Sequence, residues 1–330
     1  MRAIGVAILL APMCLAETIR LLPISTIDFS GAGGVDQAAT MQPASLLTAQ
    51  NTHLYWLRFR KNNVDRSPVL VRSDFDGKNL EVRALTETGI YEAAVARDGS
   101  QWLLSRRPGT AGAVSNFYLV VYTKLGARQE YFLEKPLRGV FPSDDEIVTL
   151  SSDGVVTLTR LADFGPAVSS ATVSANLGNE GQSLTLLLSG NRIALVDYRN
   201  VVIRVLDPVA QTVRSAQVQS AEFQRARQAY EKGLAALIEN HGDAAKAGNP
   251  RFIAAGAVLN DSVFLMEGFA FRDEGQVVLV VDTNGIILRR YECDLKVAGG
   301  ATLQPMFMAV SESRLFLMDA RGRGLIYQHP

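Results

Sequence analysis

An all-β chain built from six similar units is the fold class that this 330-residue sequence predicts, and three observations predict it. Short runs rich in Val, Leu, Ile, Phe and Tyr recur with turn signals between them, and nothing before residue 220 has the three-and-four spacing of a long helix. Turns of one kind, each between two apolar runs, fall near Asn51, Asp98, Asp145, Gly190, Asp261 and Glu312, at intervals of 47, 47, 45, 71 and 51 residues. The run after each turn is almost continuously apolar, as in VFLM and LFLM, the pattern of a sheet covered on both faces. A period of about 40–50 residues with four strands per unit marks a β-propeller, in which each blade buries its faces against its neighbours. Packed sandwiches would also show short strands and turns, but not this even spacing.

The first sixteen residues stand apart. Arg2 precedes the apolar run Ala3 to Ala11, and Cys14-Leu15-Ala16 puts small residues where a signal peptidase cuts, so residues 1–16 read as a cleaved secretory signal with Glu17 as the mature start. Pro12 interrupts the run, which is shorter than the roughly 20 apolar residues that cross a bilayer, and no transmembrane segment is expected in the mature chain. Ala11-Pro12-Met13 is a poor match to a bacterial lipobox, although Cys14 stands where a lipid would be attached. The mature chain then carries 32 basic and 33 acidic residues and one cysteine, Cys293. No disulfide can form within it, and its stability must come from core burial. The near-neutral balance argues against nucleic acid, whose partners show a basic surplus. Export points to the periplasm or the exterior.

Residues 17–25, ETIRLLPIS, are strand-like and precede the first unit. The last unit has strands near 306–310, 314–318 and 325–328 and then the chain ends, one strand short. Residues 17–25 are therefore expected to supply the outer strand of the last blade, pairing with residues 324–329 and closing the ring, which removes an exposed sheet edge. A second hairpin repeats within the units, and Gly77, Gly126 and Gly285 fit the positive φ that such turns require, with Pro208 starting a turn in unit four. The 71-residue interval holds an insert, 220–248, between units four and five. Its Phe223, Ala226, Tyr230, Leu234, Leu237 and Ile238 recur at helical spacing behind the N-cap candidate Ser220. The stripe either packs across blades four and five as a lid or offers a partner-docking edge through Phe223, Arg227, Tyr230 and Leu234.

No catalytic set emerges. His53, His241 and His329 have no metal-ligand spacing, and zinc, P-loop, dinucleotide and nucleophile-elbow motifs are missing, so no metal or cofactor is assigned. Cys293 reads as a small packed side chain. The loops between second and third strands share a face with the insert and carry Arg58 and Arg60 in unit one, Arg106 and Arg107 in unit two, Arg199 in unit four, Arg272 in unit five, and Arg321 and Arg323 in unit six. Convergent arginines suit a carboxylate or phosphate ligand or an acidic protein surface. Plain solubility of exposed loops would give the same charges, which Asp65, Asp273 and Glu274 partly cancel.

The cadence of AVARDGSQWLLSRR and VVLVVDTNGIILRRY resembles six-bladed propellers of the NHL and TolB-like kind across most of residues 43–330. The resemblance implies a binding or scaffolding module of the bacterial cell envelope that recognises a protein or an anionic small molecule across one face. Other six-bladed propellers of similar outline hold calcium in the central channel and act as hydrolases or lactonases. In those, an E-G-P-like start of an inner strand supplies a metal ligand; the nearest candidate here, Glu92 in GIYEAAVA, lacks that context.

Overall fold

The apolar second run of each unit becomes the buried second strand of a four-stranded sheet. The computed structural model describes residues 16–30, 45–58, 68–87, 89–109, 115–143, 146–160, 171–174, 183–241, 251–268, 275–297 and 300–330. The chain enters through β1 (Glu17–Leu21) and β2 (Pro23–Asp28). Blade one is then β3 (Ser45–Gln50), β4 (His53–Arg58), β5 (Val69–Asp74) and β6 (Glu81–Ala84). Blade two is β7 (Ile90–Val95), β8 (Gln101–Arg107), β9 (Asn116–Tyr122) and β10 (Arg128–Leu133), and blade three is β11 (Leu137–Pro142), β12 (Glu146–Ser151), β13 (Val155–Arg160) and β14 (Ala171–Ser174). Blade four is β15 (Ser183–Leu187), β16 (Ile193–Asp197), β17 (Val202–Asp207) and β18 (Thr212–Gln217). After helix α1 (Ala221–His241), blade five is β19 (Ile253–Leu259), β20 (Ser262–Glu267), β21 (Gly275–Val281) and β22 (Ile287–Asp294). Blade six has three strands of its own, β23 (Phe307–Val310), β24 (Arg314–Met318) and β25 (Arg323–Gln328). The sheets form a ring of six blades with the first strand of each innermost.

Each blade interface holds its own apolar core. Leu57, Leu103 and Val120 fill the gap between blades one and two, and Val148, Ile193 and Leu206 that between three and four. Both faces of each middle strand are covered, which is why β16 and β24 are buried almost throughout. The outer β6 is exposed along its whole length. The glycines expected at the second hairpins take φ of +74° (Gly77), +84° (Gly126) and +78° (Gly285).

The ring closes through the N-terminal segment, by two strands where one was expected over 17–25. β2 pairs antiparallel with β25, from Pro23 opposite Tyr327 to Asp28 opposite Arg323, and completes blade six. β1 instead joins blade five, parallel to β22, with Glu17 opposite Arg289 and Leu21 opposite Cys293. The division falls at Leu22-Pro23. Pro has no N–H to give to a ladder and is tolerated at a strand's first residue, so the pairing restarts there. Leu21 thereby packs in the core between blades five and six while Ile27 packs between six and one. Phe29 locks the end of the clasp: its N–H donates to the Gly322 carbonyl at 2.8 Å, and its ring stacks on Trp56 with centres 5.9 Å apart.

α1 begins at Ser220, whose hydroxyl accepts the Phe223 N–H at 3.4 Å. Phe223 and Ala226 are buried in the core between blades four and five, and Tyr230 meets Phe252 edge-on with centres 6.3 Å apart. The helix is thus held down as a lid on these blades. Residues 242–248 of the expected insert lie outside the described residues.

Gly322 has φ of +86°, and a Cβ there would stand 2.6 Å from the Trp56 ring. Gly322→Ala is expected to lower unfolding free energy by about 2–3 kcal/mol, from strain plus the displaced Trp56. Chemical denaturation checks it; an unchanged midpoint would mean that the clasp contributes little.

Candidate functional site: one mouth of the central cavity

The inner strands β3, β7, β11, β15, β19 and β23 surround a central cavity of about 580 Å³. Its described wall mixes polar groups with half-buried apolar residues such as Leu46, Leu184, Leu187 and Val258. Polar side chains collect at the end where the inner strands begin: Tyr91, Glu92, Arg138, Ser183, Tyr198 and Arg251. The chain reaches that end from the previous blade's outer strand, so it is the face that carries α1.

The repeat itself places these groups. Tyr91, Arg138, Ser183 and Ala254 each lie seven residues before the turns at 98, 145, 190 and 261, and so occupy equivalent positions in blades two to five. In three of these blades the register slips there: Ile90 pairs with Ser105 and Glu92 with Leu104, Leu137 with Ser151 and Gly139 with Leu150, Ile253 with Glu267 and Ala255 with Met266. Tyr91, Arg138 and Ala254 are thus the extra residues of three bulges, and bulges re-aim side chains at barrel rims. Two of them reach sideways to the next blade. The Tyr91 hydroxyl donates to the Leu137 carbonyl at 2.9 Å, and Arg138 Nη2 donates to Ser183 Oγ at 2.7 Å and to its carbonyl at 3.3 Å. Between blades four and five, the Phe252 N–H donates to the Tyr198 carbonyl at 2.8 Å, and the Arg251 guanidinium lies 5.1 Å from the centre of the Tyr198 ring. A belt of contacts therefore joins blades two to five around the mouth.

Glu92 follows the first bulge and lines the cavity. Burial pushes its carboxyl up to about 7, against the opposing pull of the Ala93 N–H and of the Arg138 charge. Burial likewise raises the Tyr91 phenol to about 12. It raises that of Tyr198 too, where Arg251 and Arg138 pull downward and the Glu92 charge pushes up.

The loop arginines are placed differently. Arg107 is held by both oxygens of Glu130 at 3.0 and 2.9 Å and by Glu87 at 3.0 Å, with the Tyr118 ring 4.4 Å away. Arg323 is held by Asp319 at 3.0 and 2.8 Å, and Arg106 by the Ser115 hydroxyl at 2.9 Å. Arg199 and Arg321 are exposed. None of these five lines the cavity. Arg58 ends β4, while Arg60 and Arg272 lie outside the described residues. Of the helix positions, Phe223 is buried, Tyr230 and Leu234 are half-buried and Arg227 is exposed.

No protein-family model and no curated protein sequence matches the chain. Solved structures do. Virginiamycin B lyase from Staphylococcus aureus is 11% identical, with 87% of this chain and 94% of that chain covered at a TM-score of 0.50. A protein of unknown function from Bacteroides thetaiotaomicron is 12% identical, over 93% of this chain and 75% of that one, at 0.51. The chain is a six-bladed β-propeller. BamB from Moraxella catarrhalis also aligns, at 11% identity over 94% of this chain and all of that one, with a TM-score of 0.42. Identities this low establish shared architecture alone.

Calcium asks for six to eight oxygen ligands, several of them carboxylate. Among the described residues no three of His, Cys, Asp and Glu gather, and the mouth pairs one carboxylate with two arginines, a donor set that does not fit that ion.

The raised Glu92 value has a stability consequence. Below about 4.5 the group is protonated folded and unfolded; between 4.5 and 7 the unfolded chain ionises first, so stability falls as pH rises and then levels off. Glu92→Gln removes the penalty. The variant is expected to match the parent at pH 4 and to exceed it by about 3 kcal/mol at pH 8 in denaturant titrations; equal stability at both pH values would contradict it.

Proposed function

We propose that this propeller is an exported binding module that takes a small anionic ligand at the α1-bearing mouth of its central cavity. The observation that carries the reading is the Arg251 guanidinium over the Tyr198 ring, with the Arg138 charge acting on the same ring, at one end of the central cavity. Guanidinium groups bind carboxylate or phosphate in a forked geometry, and the half-burial of Arg138 strengthens that attraction. A cavity of about 580 Å³ is of the size that encloses a small molecule. The helix supports a ligand over a docked protein, because its aromatic residues are committed to the core or half-covered. Export rests on residues 1–16, whose leader-like pattern points to the periplasm or the exterior.

Phenylacetate is a suitable probe, presenting a carboxylate and an apolar ring. Calorimetric titration of the chain from Glu17 onward is expected to show binding that weakens about tenfold or more in Arg138→Gln and in Arg251→Gln, the loss of one charge-assisted contact. Equal affinity in parent and variants, or no binding by the parent, would overturn the reading.

A further inference from the structure

The mouth contains a carboxyl that no ion pair among the described residues uses. Glu92 accepts one hydrogen bond among the described residues, from the Ala93 N–H at 3.2 Å, although a carboxylate offers about four acceptor positions. No cationic side chain among the described residues lies within ion-pair distance of it. Arg138 comes from the neighbouring strand and acts on it through space, but its guanidinium is drawn sideways onto Ser183. A buried carboxyl normally costs stability unless it is paired, and elsewhere this chain pairs them: Glu87 is clamped by Arg107, Arg128 and Tyr122. Among the described lining residues Glu92 is the carboxyl that faces the cavity with acceptor positions open, in a position that the bulge at Tyr91 creates.

We propose that Glu92 is an ammonium acceptor and that the ligand is a small zwitterion with an apolar body, such as an amino acid or short peptide. The inference rests on the anionic reading above for its second half: the ligand carboxylate meets Arg251 and Arg138 beside Tyr198 while its ammonium meets Glu92. Leu184 and Val258, half-buried at the cavity wall, would then take the side chain. The charged and titratable groups around Glu92 are Tyr91 on its own strand, Arg138 on β11, Tyr198 after β16 and Arg251 before β19. Of these, Glu92 is the group that changes charge near neutrality. Ammonium binding requires the ionised carboxylate, so affinity should rise with pH until Glu92 is fully ionised and then stay level while the ligand keeps its own proton.

The test uses the intact chain from Glu17 onward and calorimetric titration with L-leucine and L-leucyl-L-leucine, which differ in the reach between ammonium and carboxylate. Their N-acetyl forms lack the ammonium, and their amides lack the carboxylate. At least one zwitterion is expected to bind, with N-acetylation or Glu92→Gln each weakening it about tenfold or more. Affinity should increase between pH 5.5 and 7, where both ligands keep their ammonium, in the parent and stay flat in Glu92→Gln. Circular dichroism establishes that the variant is folded, and the N-acetyl comparison on the parent needs no variant. If N-acetyl forms bind as well as the zwitterions and Glu92→Gln changes nothing, the ammonium site is overturned and the anionic reading stands. If the amides bind as well as the zwitterions, Glu92 keeps its role and the anionic half fails. If none of the six compounds binds, both are overturned.

Discussion

A propeller blade is a sheet with two apolar faces, so no blade here can be buried until its neighbours are in place. The structure therefore depends on closure of the ring. Blade six has three strands of its own chain segment, and its fourth arrives from the other end of the sequence as β2. Without that strand β25 would present an open edge, and the core formed by Ile27, Phe29, Trp56 and Ile326 would lose two of its members. β1 extends the same device to blade five, so one short segment from Glu17 to Asp28 serves two blades and two inter-blade cores.

Closure also fixes the cavity. Six inner strands held in a ring bring equivalent positions of successive repeats to one rim, and the bulges at Tyr91, Arg138 and Ala254 mark that rim in three blades. The repeat has been put to two uses there. The Tyr91 hydroxyl and one Arg138 nitrogen reach the next blade and tighten the ring, while Arg138 also lines the cavity. Glu92, Arg251 and Tyr198 keep surface toward the cavity. A rigid wall with opposite charges at one end and apolar residues beyond them is a preorganised setting, in which a ligand need not pay to order the site.

The ring was legible in the sequence because its causes are local. Asp98-Gly99 and Gly285 announce turns, and VFLM and LFLM announce strands buried on both faces. The missing strand of the last unit could even be matched to residues near the start. Its division at Leu22-Pro23 was less visible, since whether a segment serves one blade or two depends on which core receives Leu21 and Ile27. The mouth was harder still. Loop arginines attract attention in a sequence, yet Arg107 and Arg323 are neutralised by Glu130, Glu87 and Asp319, partners distant or unremarkable in the chain. Arg138 and Arg251 lie where blades begin, and Glu92 is a single carboxylate in an apolar run. The signal that could have found the rim is arithmetic: superposing the repeats on their turns aligns Tyr91, Arg138 and Ser183.

The central claim is that Glu92 is a carboxylate held in the cavity with no ion-pair partner among the described residues. Its ionisation can be read directly from the side-chain carboxyl signal in a carbon-13 NMR pH titration, assigned by its loss in Glu92→Gln. A midpoint near 7 is expected, whereas one near the ordinary value of 4.5 would show that the carboxyl is solvated or paired and would contradict the account.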